Sequence, residues 1–310
     1  MIIEKPAIEI LDPAAKAILP ENIGLEQVAT GFIFTEGPVW CGDYFIFSDI
    51  PMNRIIRMDF TSKGPEVTTY RSPTGHSNGL TLDHSGRLII CQHSGRRVTI
   101  EDEDGSHYVL ADSYDGKRLN SPNDVVARSD GSVYFTDPTF GLREHKKWKE
   151  QDCCGVYRVS PDGEITRVVD NFQLPNGLAF TPDESVLYIN DTAAAHIRAF
   201  DVAPDGSLSN GRVFIDMHGD EPGAPDGMKV DTQGNVYCTG PGGFWIMNPE
   251  GKCLARVMPP ELPSNMAFGD ADWQTLYMTA RSSVYRMRIN VPGVPVGVMN
   301  PISHWPPPSQ

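Results

Sequence analysis

Short apolar runs, each bounded by Gly, Asp, Asn or Pro, follow one another along most of the chain. The runs 132–137, 155–160 and 164–169 illustrate the pattern: a long connection separates the first two, and a Pro-Asp-Gly turn separates the last two. Runs of this length that are rich in Val, Tyr, Phe and Thr are typical of β-strands joined in antiparallel hairpins. No segment longer than about ten residues has sustained helical periodicity. The pattern therefore predicts an all-β fold.

The strand pattern recurs six times, and each repeat opens with a carboxylate or carboxamide residue directly before its first apolar run. These opening residues are Glu36, Asn78, Asn123, Asn176, Asp226 and Asn265. Subtracting their positions gives steps of 42, 45, 53, 50 and 39 residues. Units of four strands repeated at such a period are typical of β-propellers. The sequence thus predicts a six-bladed β-propeller of four-stranded antiparallel blades.

The last repeat lacks a good fourth strand, because the chain becomes rich in Pro after it. We expect an N-terminal strand at about residues 26–30 to complete the last blade, since an open sheet edge is a liability for a soluble fold. Under this interpretation residues 1–310 form a single β-propeller domain. Residues 1–20 are then an N-terminal extension, and residues 291–310 a Pro-rich C-terminal tail.

The opening residues of the repeats are also candidates for a metal site. The first strand of each propeller blade lies nearest the axis, so these six side chains should converge there. Two carboxylates brought together, with no Lys or Arg expected beside them, repel each other, and a divalent cation removes that repulsion. Donors that are all oxygen favour Ca²⁺, with Mg²⁺, Mn²⁺ or Zn²⁺ as alternatives. The simpler alternative is that these residues only start strands through local side-chain bonds to the backbone.

Composition excludes some partners. Asp and Glu number 40 against 26 Lys and Arg, a formal net charge of −14, which argues against nucleic acid and anionic membranes. The N-terminus has no signal-peptide core and no apolar stretch approaches about twenty residues, so we expect a cytoplasmic protein, monomeric or a small homo-oligomer. The six cysteines show neither zinc-site spacing nor disulfide-scaffold density. We expect reduced thiols, and a strained disulfide between Cys153 and Cys154 remains the alternative.

Four separated motifs resemble, in the same order, those of the gluconolactonase, regucalcin and senescence-marker-protein family. The motifs are Thr35-Glu-Gly-Pro-Val-Trp40, Leu119-Asn-Ser-Pro-Asn-Asp124, Pro175-Asn-Gly-Leu-Ala-Phe180 and Ala224-Pro-Asp-Gly-Met-Lys-Val-Asp231. The resemblance implies a six-bladed propeller with one catalytic divalent ion, usually Ca²⁺, on its axis. It also implies that Glu36, Asn176 and Asp226 bind the ion directly. Asn123 corresponds to a ligand in some relatives and to a water or substrate contact in others.

The function that follows is hydrolysis of a small lactone, similar to gluconolactone, to its hydroxy acid. The cation is expected to polarise the carbonyl oxygen of the lactone and to stabilise the charge that develops during attack. Asp226 is the candidate general base or water-positioning residue, with Asn123 as a second catalytic candidate. Direct attack by Asp226 on the carbonyl is the alternative mechanism.

Residues near the mouth of the propeller are candidates for substrate binding. The connection from 138 to 154 is the longest inside any predicted blade, and loops of this kind often shape a pocket. Compared with animal regucalcins, a Ser-Pro pair before Asn123 leaves their substrate arginine without a direct counterpart, and Arg118 lies nearby. The residues predicted to contact substrate are His76, Asn78, His93, Arg118, Asn120, Phe140 and Trp148.

Other functions remain open at this point. A Ser-His-Asp hydrolase is disfavoured, since the chain has no Gly-x-Ser-x-Gly motif. An organophosphate or phosphotriester hydrolase would use the same metal site with a different electrophile. A non-catalytic propeller serving as an interaction platform would not need two carboxylates on the axis. A strictosidine-synthase-like propeller would not be expected to keep Glu36, Asn176 and Asp226.

Overall fold

The computed structural model describes residues 2–4, 7–102 and 105–297, of which 2–4, 143 and 144 are described by their backbone alone. Nearly all regular structure in these residues is β-strand. The described strands form six antiparallel sheets arranged around one axis, each built on four strands with the first strand of its repeat innermost, and there is a separate two-stranded hairpin. The predicted all-β, six-bladed propeller is confirmed.

The strands run in chain order from blade I to blade VI, after an N-terminal segment. That segment contains β1 (Ile2–Glu4), β2 (Ala7–Ile10), helix α1 (Ala15–Ile18) and β3 (Leu25–Thr30). Blade I contains β4 (Thr35–Trp40), β5 (Tyr44–Asp49), β6 (Arg54–Thr61) and β7 (Gly64–Arg71). Blade II contains β8 (Ser77–Leu82), β9 (Leu88–Gln92), β10 (Arg97–Glu101) and β11 (His107–Ala111).

A small hairpin separates blade II from blade III, and it consists of β12 (Ser113–Tyr114) and β13 (Lys117–Arg118). Blade III contains β14 (Val125–Ala127), β15 (Val133–Asp137), β16 (Cys154–Val159) and β17 (Ile165–Phe172). Blade IV contains β18 (Pro175–Phe180), β19 (Val186–Asp191), β20 (His196–Val202) and β21 (Leu208–Asp216). Blade V contains β22 (Met228–Val230), β23 (Val236–Gly240), β24 (Gly243–Met247) and β25 (Cys253–Met258). Blade VI contains β26 (Asn265–Gly269), β27 (Thr275–Ala280) and β28 (Ser283–Arg288).

The N-terminal strand β3 closes the propeller by supplying the fourth strand of blade VI. It pairs antiparallel with β28, with Thr30 opposite Ser283 and Glu26 opposite Arg286. The Arg286 guanidinium also donates to the Glu26 carboxylate at 2.7 Å. The predicted closing strand at residues 26–30 is therefore confirmed and begins one residue earlier. Strand β1 pairs with the outer edge of β3.

The segment before β3 packs against blades V and VI of the propeller. Strand β2 pairs with β25, so blade V has a fifth strand that the sequence analysis did not predict. Helix α1 buries Ala15 and Ile18 in the apolar cluster between blades V and VI. Of the Pro-rich tail expected over 291–310, residues 298–310 lie outside the described residues.

The core consists of apolar layers between neighbouring blades. In the described residues, each pair of adjacent blades shares one cluster of buried side chains, contributed by alternate positions of the facing strands. Between blades I and VI, for example, the Tyr277 ring stacks on Trp40 and Phe45 with centroid distances of 5.6 and 4.8 Å. Burial of these layers is the main term that holds the blades in a ring.

The helices are short. Besides α1 they are two 3₁₀ segments, Ile50–Met52 and Phe140–Trp148, and the second has a kink at His145. None of the helices in the described residues is long and apolar enough to cross a membrane. The 3₁₀ segment Phe140–Trp148 occupies the long connection of blade III. All six cysteines, including Cys153 and Cys154, are free thiols.

Candidate active site

The six residues that open the repeats form a ring at one end of the axis. Three direct contacts link neighbours: Asn265 Nδ2 donates to Glu36 Oε2 at 3.0 Å, Asn78 Nδ2 to Asn123 Oδ1 at 2.7 Å, and Gly177 N to Asp226 O at 3.1 Å. Thr136 joins blades III and IV, since its O accepts from Asn123 N at 2.8 Å and its Oγ1 donates to Asn176 O at 2.9 Å. These contacts place the starts of the innermost strands of neighbouring blades side by side.

Glycine after a ring residue lets neighbouring blades approach closely. A Cβ on Gly37 would lie 1.9 Å from Asn78 O, and one on Gly177 would lie 2.2 Å from Asp226 O. Gly37 also has φ +55°, in the left-handed region that glycine adopts at little cost. The glycine of these motifs is therefore required by the contact between blades, in addition to any local role at the strand start.

Burial makes a negative charge on the carboxylates of the ring unfavourable. Glu36 is 2% exposed, and Asn123 and Asn176 are also buried, whereas Asp226 is partly exposed. Burial raises the pKa of Glu36 to about 7, against the opposing effect of hydrogen bonds from Asn265 and from Gly37 N. A buried carboxylate with so high a pKa is a common feature of functional sites.

Two charged residues at the ring were missed by sequence analysis. Asp124 is 3% exposed, and burial raises the pKa of its carboxyl. The Lys229 Nζ donates to Met228 O at 3.0 Å and Asn265 Oδ1 at 3.5 Å, and its charge lowers the pKa of both Glu36 and Asp124. The expectation that no Lys or Arg lies beside the axial carboxylates is therefore wrong. Lys229 stands inside the motif that begins at Asp226, so the signal was present in the sequence.

The donor atoms fit a hard cation. Asn176 donates its Nδ2 to Thr192 Oγ1 at 3.0 Å, which leaves the amide oxygen as the atom available to an ion. Asn78 Oδ1 and Asp124 Oδ2 are buried and have no hydrogen-bond partner within the part of the chain that the structure describes. That same part contains no group of three His, Cys, Asp or Glu side chains placed to hold a metal. An ion here would therefore depend on asparagine oxygens as well as carboxylates, which is the chemistry of Ca²⁺ sites.

A buried carboxylate organises the segment that precedes Asn123. Asp137 is fully buried, and its two oxygens accept from Asn120 N at 2.7 Å and Ser121 N at 2.8 Å. Burial nevertheless raises the pKa of Asp137 to about 7. The Asn120 side chain, predicted to contact substrate, is itself buried and donates to the backbone oxygens of Asp137 and Cys153. In the structure Asn120 therefore anchors the loop that carries Asn123.

Unfolding free energy should fall as pH rises through the range in which Asp137 ionises. Unfolded Asp ionises near its usual pKa of 3.8, whereas the folded carboxyl keeps its proton up to about pH 7, so the folded state binds more protons between these limits. Stability supplied by that proton is present below the unfolded pKa and is lost as pH rises through the folded one. The Asn side chain of Asp137→Asn does not titrate. Relative to this variant, the unfolding free energy of the wild type should fall by about 2–4 kcal/mol between pH 4 and 7. Urea unfolding at several pH values measures this, and a constant difference between the two proteins would contradict it.

The predicted substrate residues nearest the ring are Asn78 and the two histidines. His93 Nε2 lies 2.9 Å from Asn78 Nδ2, and the His93 backbone N donates to His76 O at 3.0 Å. His76 Nδ1 contacts Ser94 Oγ at 2.7 Å, and the His76 backbone has φ +53°. These contacts bring His76 and His93 together beside the ring, on the face where the innermost strands begin.

The other predicted substrate residues lie farther out on the same face. Arg118 is exposed, and its Nη2 donates to Gly95 O at 3.1 Å. Trp148 is 46% exposed and stacks on His145 with a centroid distance of 3.9 Å. Phe140 is partly buried at the start of the 3₁₀ segment. Arg118 and Trp148 line one groove together with Ser94, Arg96, Lys147 and Glu150.

A second cavity, of about 120 Å³, lies on the axis behind the ring. Its walls are the C-terminal ends of the innermost strands, for example Leu82, Phe180 and Phe268, together with Val294 and Val296. Lys229 also lines this cavity and reaches Asn265 Oδ1, so the cavity lies directly behind the ring, although none of the six ring residues is among its described lining residues.

Comparison with known proteins decides the family. A family model described as the SMP-30/Gluconolactonase/LRE-like region matches residues 34–282, which include all six ring residues. The chain belongs to this family. The resemblance identified from the four motifs is thereby confirmed.

Members of the SMP-30/gluconolactonase family resemble the chain over most of its length. A gluconolactonase from Zymomonas mobilis is 35% identical over 303 residues, covering 89% of this chain and 84% of that protein. The pentonolactonase XacC from Haloferax volcanii is 28% identical over 260 residues, covering 79% of this chain and 80% of that protein.

Solved structures agree with the fold. XC5397 from Xanthomonas campestris, described as a gluconolactonase, superposes with a TM-score of 0.82 at 31% identity and covers 93% of this chain and 99% of its own. A calcium-binding protein, regucalcin, from Agrobacterium tumefaciens gives a TM-score of 0.71 at 18% identity and covers 88% of this chain and 96% of its own. At that identity the second likeness concerns the fold alone.

Proposed function

We propose that the protein is a metal-dependent hydrolase that opens a small sugar lactone, similar to gluconolactone, to its hydroxy acid. Membership of the family, together with gluconolactonase and pentonolactonase relatives, indicates a lactone-hydrolysing enzyme. The observation that carries the metal-dependent part is the ring of buried oxygen donors that includes Glu36, Asn176 and the partly exposed Asp226. Such a concentration of carboxylates is costly without a bound cation.

Glu36, Asn176 and Asp226 would hold the cation, with Asn123 as a fourth ligand. Ca²⁺ is our first choice, because carboxylate and amide oxygens are its preferred donors. When bound, the cation supplies Lewis-acid stabilisation of the negative charge that develops on the lactone carbonyl oxygen. Asn123 Oδ1 accepts one hydrogen bond from Asn78, and a carbonyl oxygen has a second lone pair for an ion or a substrate hydroxyl.

Asp226 is our candidate general base. It is the one ring carboxylate that is partly exposed, whereas Glu36 and Asp124 are buried and have raised pKa values. The Asp226 carboxylate would take a proton from the attacking water as the water oxygen bonds to the carbonyl carbon. The bond between that carbon and the ester oxygen of the lactone then breaks, and this leaving oxygen takes up a proton to give the hydroxy acid. Direct attack by the Asp226 carboxylate is the alternative.

The sugar would lie between the ring of axial residues and the residues farther out on the same face of the propeller. Asn78 and His93 are hydrogen-bonded beside the ring, where they can contact hydroxyl groups close to the reacting carbon. His76 lies next to His93, whereas Arg118, Phe140 and Trp148 lie farther out, and these four residues would contact the rest of the sugar. Asn120 would act through the loop that it anchors to Asp137.

Chelation tests the proposal. Hydrolysis of glucono-δ-lactone, a pentonolactone and a phosphotriester is followed with a pH indicator after EDTA treatment and after addition of Ca²⁺, Mg²⁺, Mn²⁺ or Zn²⁺. We expect EDTA to lower lactone turnover by about 100-fold or more, since loss of charge stabilisation at the carbonyl oxygen typically costs that much, and one added cation to restore it.

The outcomes of this screen separate the alternatives. Lactone hydrolysis that ignores chelation would contradict metal dependence, and absence of lactone hydrolysis with every cation would contradict the lactonase. Turnover of the phosphotriester alone would instead favour a phosphotriester hydrolase, and no turnover at all an interaction platform. The cytoplasmic location and the monomeric or small homo-oligomeric state stay predictions.

A further inference from the structure

We propose that the groove between the β9–β10 turn and the 3₁₀ segment is an anion subsite that binds a phosphate or carboxylate group at the far end of the substrate lactone. The groove is lined by Ser94, Arg96, Arg118, Lys147, Trp148 and Glu150. The inference rests on the proposed lactonase function and deepens it, because it assigns a substrate class to the same site: lactones of acidic or phosphorylated sugars.

Arg96 is the fixed element of the groove. It is 5% exposed, its Nε donates to Leu119 O at 2.7 Å, and its Nη1 lies 3.3 Å from Glu150 Oε1. Its Nη2 is buried without a hydrogen-bond partner in the described part of the chain. A buried guanidinium with a donor left over is costly unless an anion completes it. Arg96 also has φ +52°, a conformation that is unusual for a side chain of this size and is often retained at binding sites.

Two further cations face the same space. Arg118 and Lys147 are exposed, and the Arg118 guanidinium makes one exposed hydrogen bond, from Nη2 to Gly95 O, which leaves its other donors for a ligand. Burial, and then the charge of Arg118, lower the pKa of Arg96, which indicates that the two guanidinium groups lie close enough to repel. Among the described side chains that line the groove, Glu150 is the one carboxylate against these three cations. The groove is therefore a positive patch on a chain whose formal net charge is −14.

The groove is also pre-organised. Glu150 binds both walls, since its Oε2 accepts from Arg118 N at 2.9 Å while its Oε1 faces Arg96. Gln151 fixes the β12–β13 hairpin, because its Nε2 donates to Tyr114 O at 3.0 Å and Lys117 O at 2.9 Å. Walls held in place before binding lose little conformational entropy when the ligand arrives.

Short contacts connect the groove to the ring. Ser94 lines the groove and contacts His76, and the preceding residue, His93, contacts the ring residue Asn78. Trp148 lines the same groove and is 46% exposed; His145 stacks on one face of its indole, and a sugar ring can stack on the other. A lactone whose carbonyl lies at the ring would therefore direct its other end toward the groove.

Kinetics and binding test the subsite. Glucono-δ-lactone, 6-phosphoglucono-δ-lactone and a glucarolactone present a neutral, a phosphate and a carboxylate end. They are compared in the full-length wild type, the Arg118→Ala/Lys147→Ala double variant and Lys117→Ala. Lys117 is the matched control, since it is the exposed neighbour of Arg118 and does not line the groove.

We expect the wild type to prefer at least one anionic lactone over the neutral one in kcat/KM. The double variant should reduce that preference by roughly 10- to 100-fold, the scale of one or two charge-assisted hydrogen bonds, and Lys117→Ala should not. Added salt should weaken the preference in the wild type, since exposed charges are screened. Preference for only the phosphate or only the carboxylate supports the subsite and identifies its ligand.

Calorimetric binding of 6-phosphogluconate, which has no lactone to open, separates the two proposals. Tight binding that the double variant weakens by about 10-fold or more supports the subsite even if no lactone is hydrolysed, a result that would reject the proposed function alone. Hydrolysis of the neutral lactone with no preference for either anionic one, and no binding of 6-phosphogluconate, would overturn the subsite and leave the lactonase standing.

Discussion

Asp226→Asn is expected to lower kcat for the lactone substrate by about 1,000-fold, the scale on which a positioned general base contributes. The fold should survive this change. The ring contacts of residue 226 to Gly177 N and to Asn190 Nδ2 are made by its backbone oxygen, which the substitution leaves in place. Steady-state kinetics with saturating cation measure the effect, and thermal unfolding checks the fold.

The control for this prediction is Asp220→Asn. Asp220 is an exposed carboxylate in the same connection before blade V, and its substitution should leave kcat unchanged. Full turnover by Asp226→Asn with the cation bound would remove Asp226 from both the base and the nucleophile roles. Label in the Asp226 carboxylate after a single turnover of the wild type in ¹⁸O-water would identify direct attack, because the general-base route puts the label in the hydroxy acid alone.

Gly37→Ala is expected to destabilise the protein by about 3 kcal/mol or more and to abolish lactone hydrolysis. The new Cβ would lie 1.9 Å from Asn78 O, a backbone atom that cannot move without shifting blade II. The φ of +55° adds strain for any residue with a Cβ. Since Glu36 precedes Gly37 and Asn78 is a ring residue, the same clash displaces two members of the ring. Urea unfolding and lactone hydrolysis measure the two effects.

Gly42→Ala separates backbone strain from the clash. Gly42 has φ +86° in the turn between β4 and β5, and a Cβ there meets nothing within 4 Å. This variant should lose only about 1–2 kcal/mol and keep its activity, because it carries the strain alone. If Gly37→Ala were as stable and as active as Gly42→Ala, the close approach of blades I and II at the ring would not be required.

The blades were predictable because their pattern is local. Short apolar runs and the Asp-Gly turns that bound them act over a few residues, and the repeat places them at regular intervals. Closure by β3 was also predictable, since the missing fourth strand left an edge to be covered. The attachment of β2 to β25 was not, because that pairing joins residues separated by most of the chain and its segment has no counterpart among the repeats.

The ring was predictable in part for the same reason. Its six members share one position in each repeat, so the topology alone brings them together. Asp124 and Asp137 gain their raised pKa values from burial, which depends on packing between blades and has no local signature. Lys229 was visible in its motif, but its direction depends on which face of the three-residue strand β22 points to the axis. The anion groove joins three separate connections, so sequence indicated only Arg118 and Trp148 among its lining residues.

A crystal structure of the protein grown with Ca²⁺ tests the proposed metal site most directly. We expect a single ion at the ring, with oxygens of Glu36, Asn176 and Asp226 at about 2.3–2.6 Å from it. A ring without an ion at saturating Ca²⁺, or an ion bound elsewhere while these three side chains point apart, would contradict this expectation.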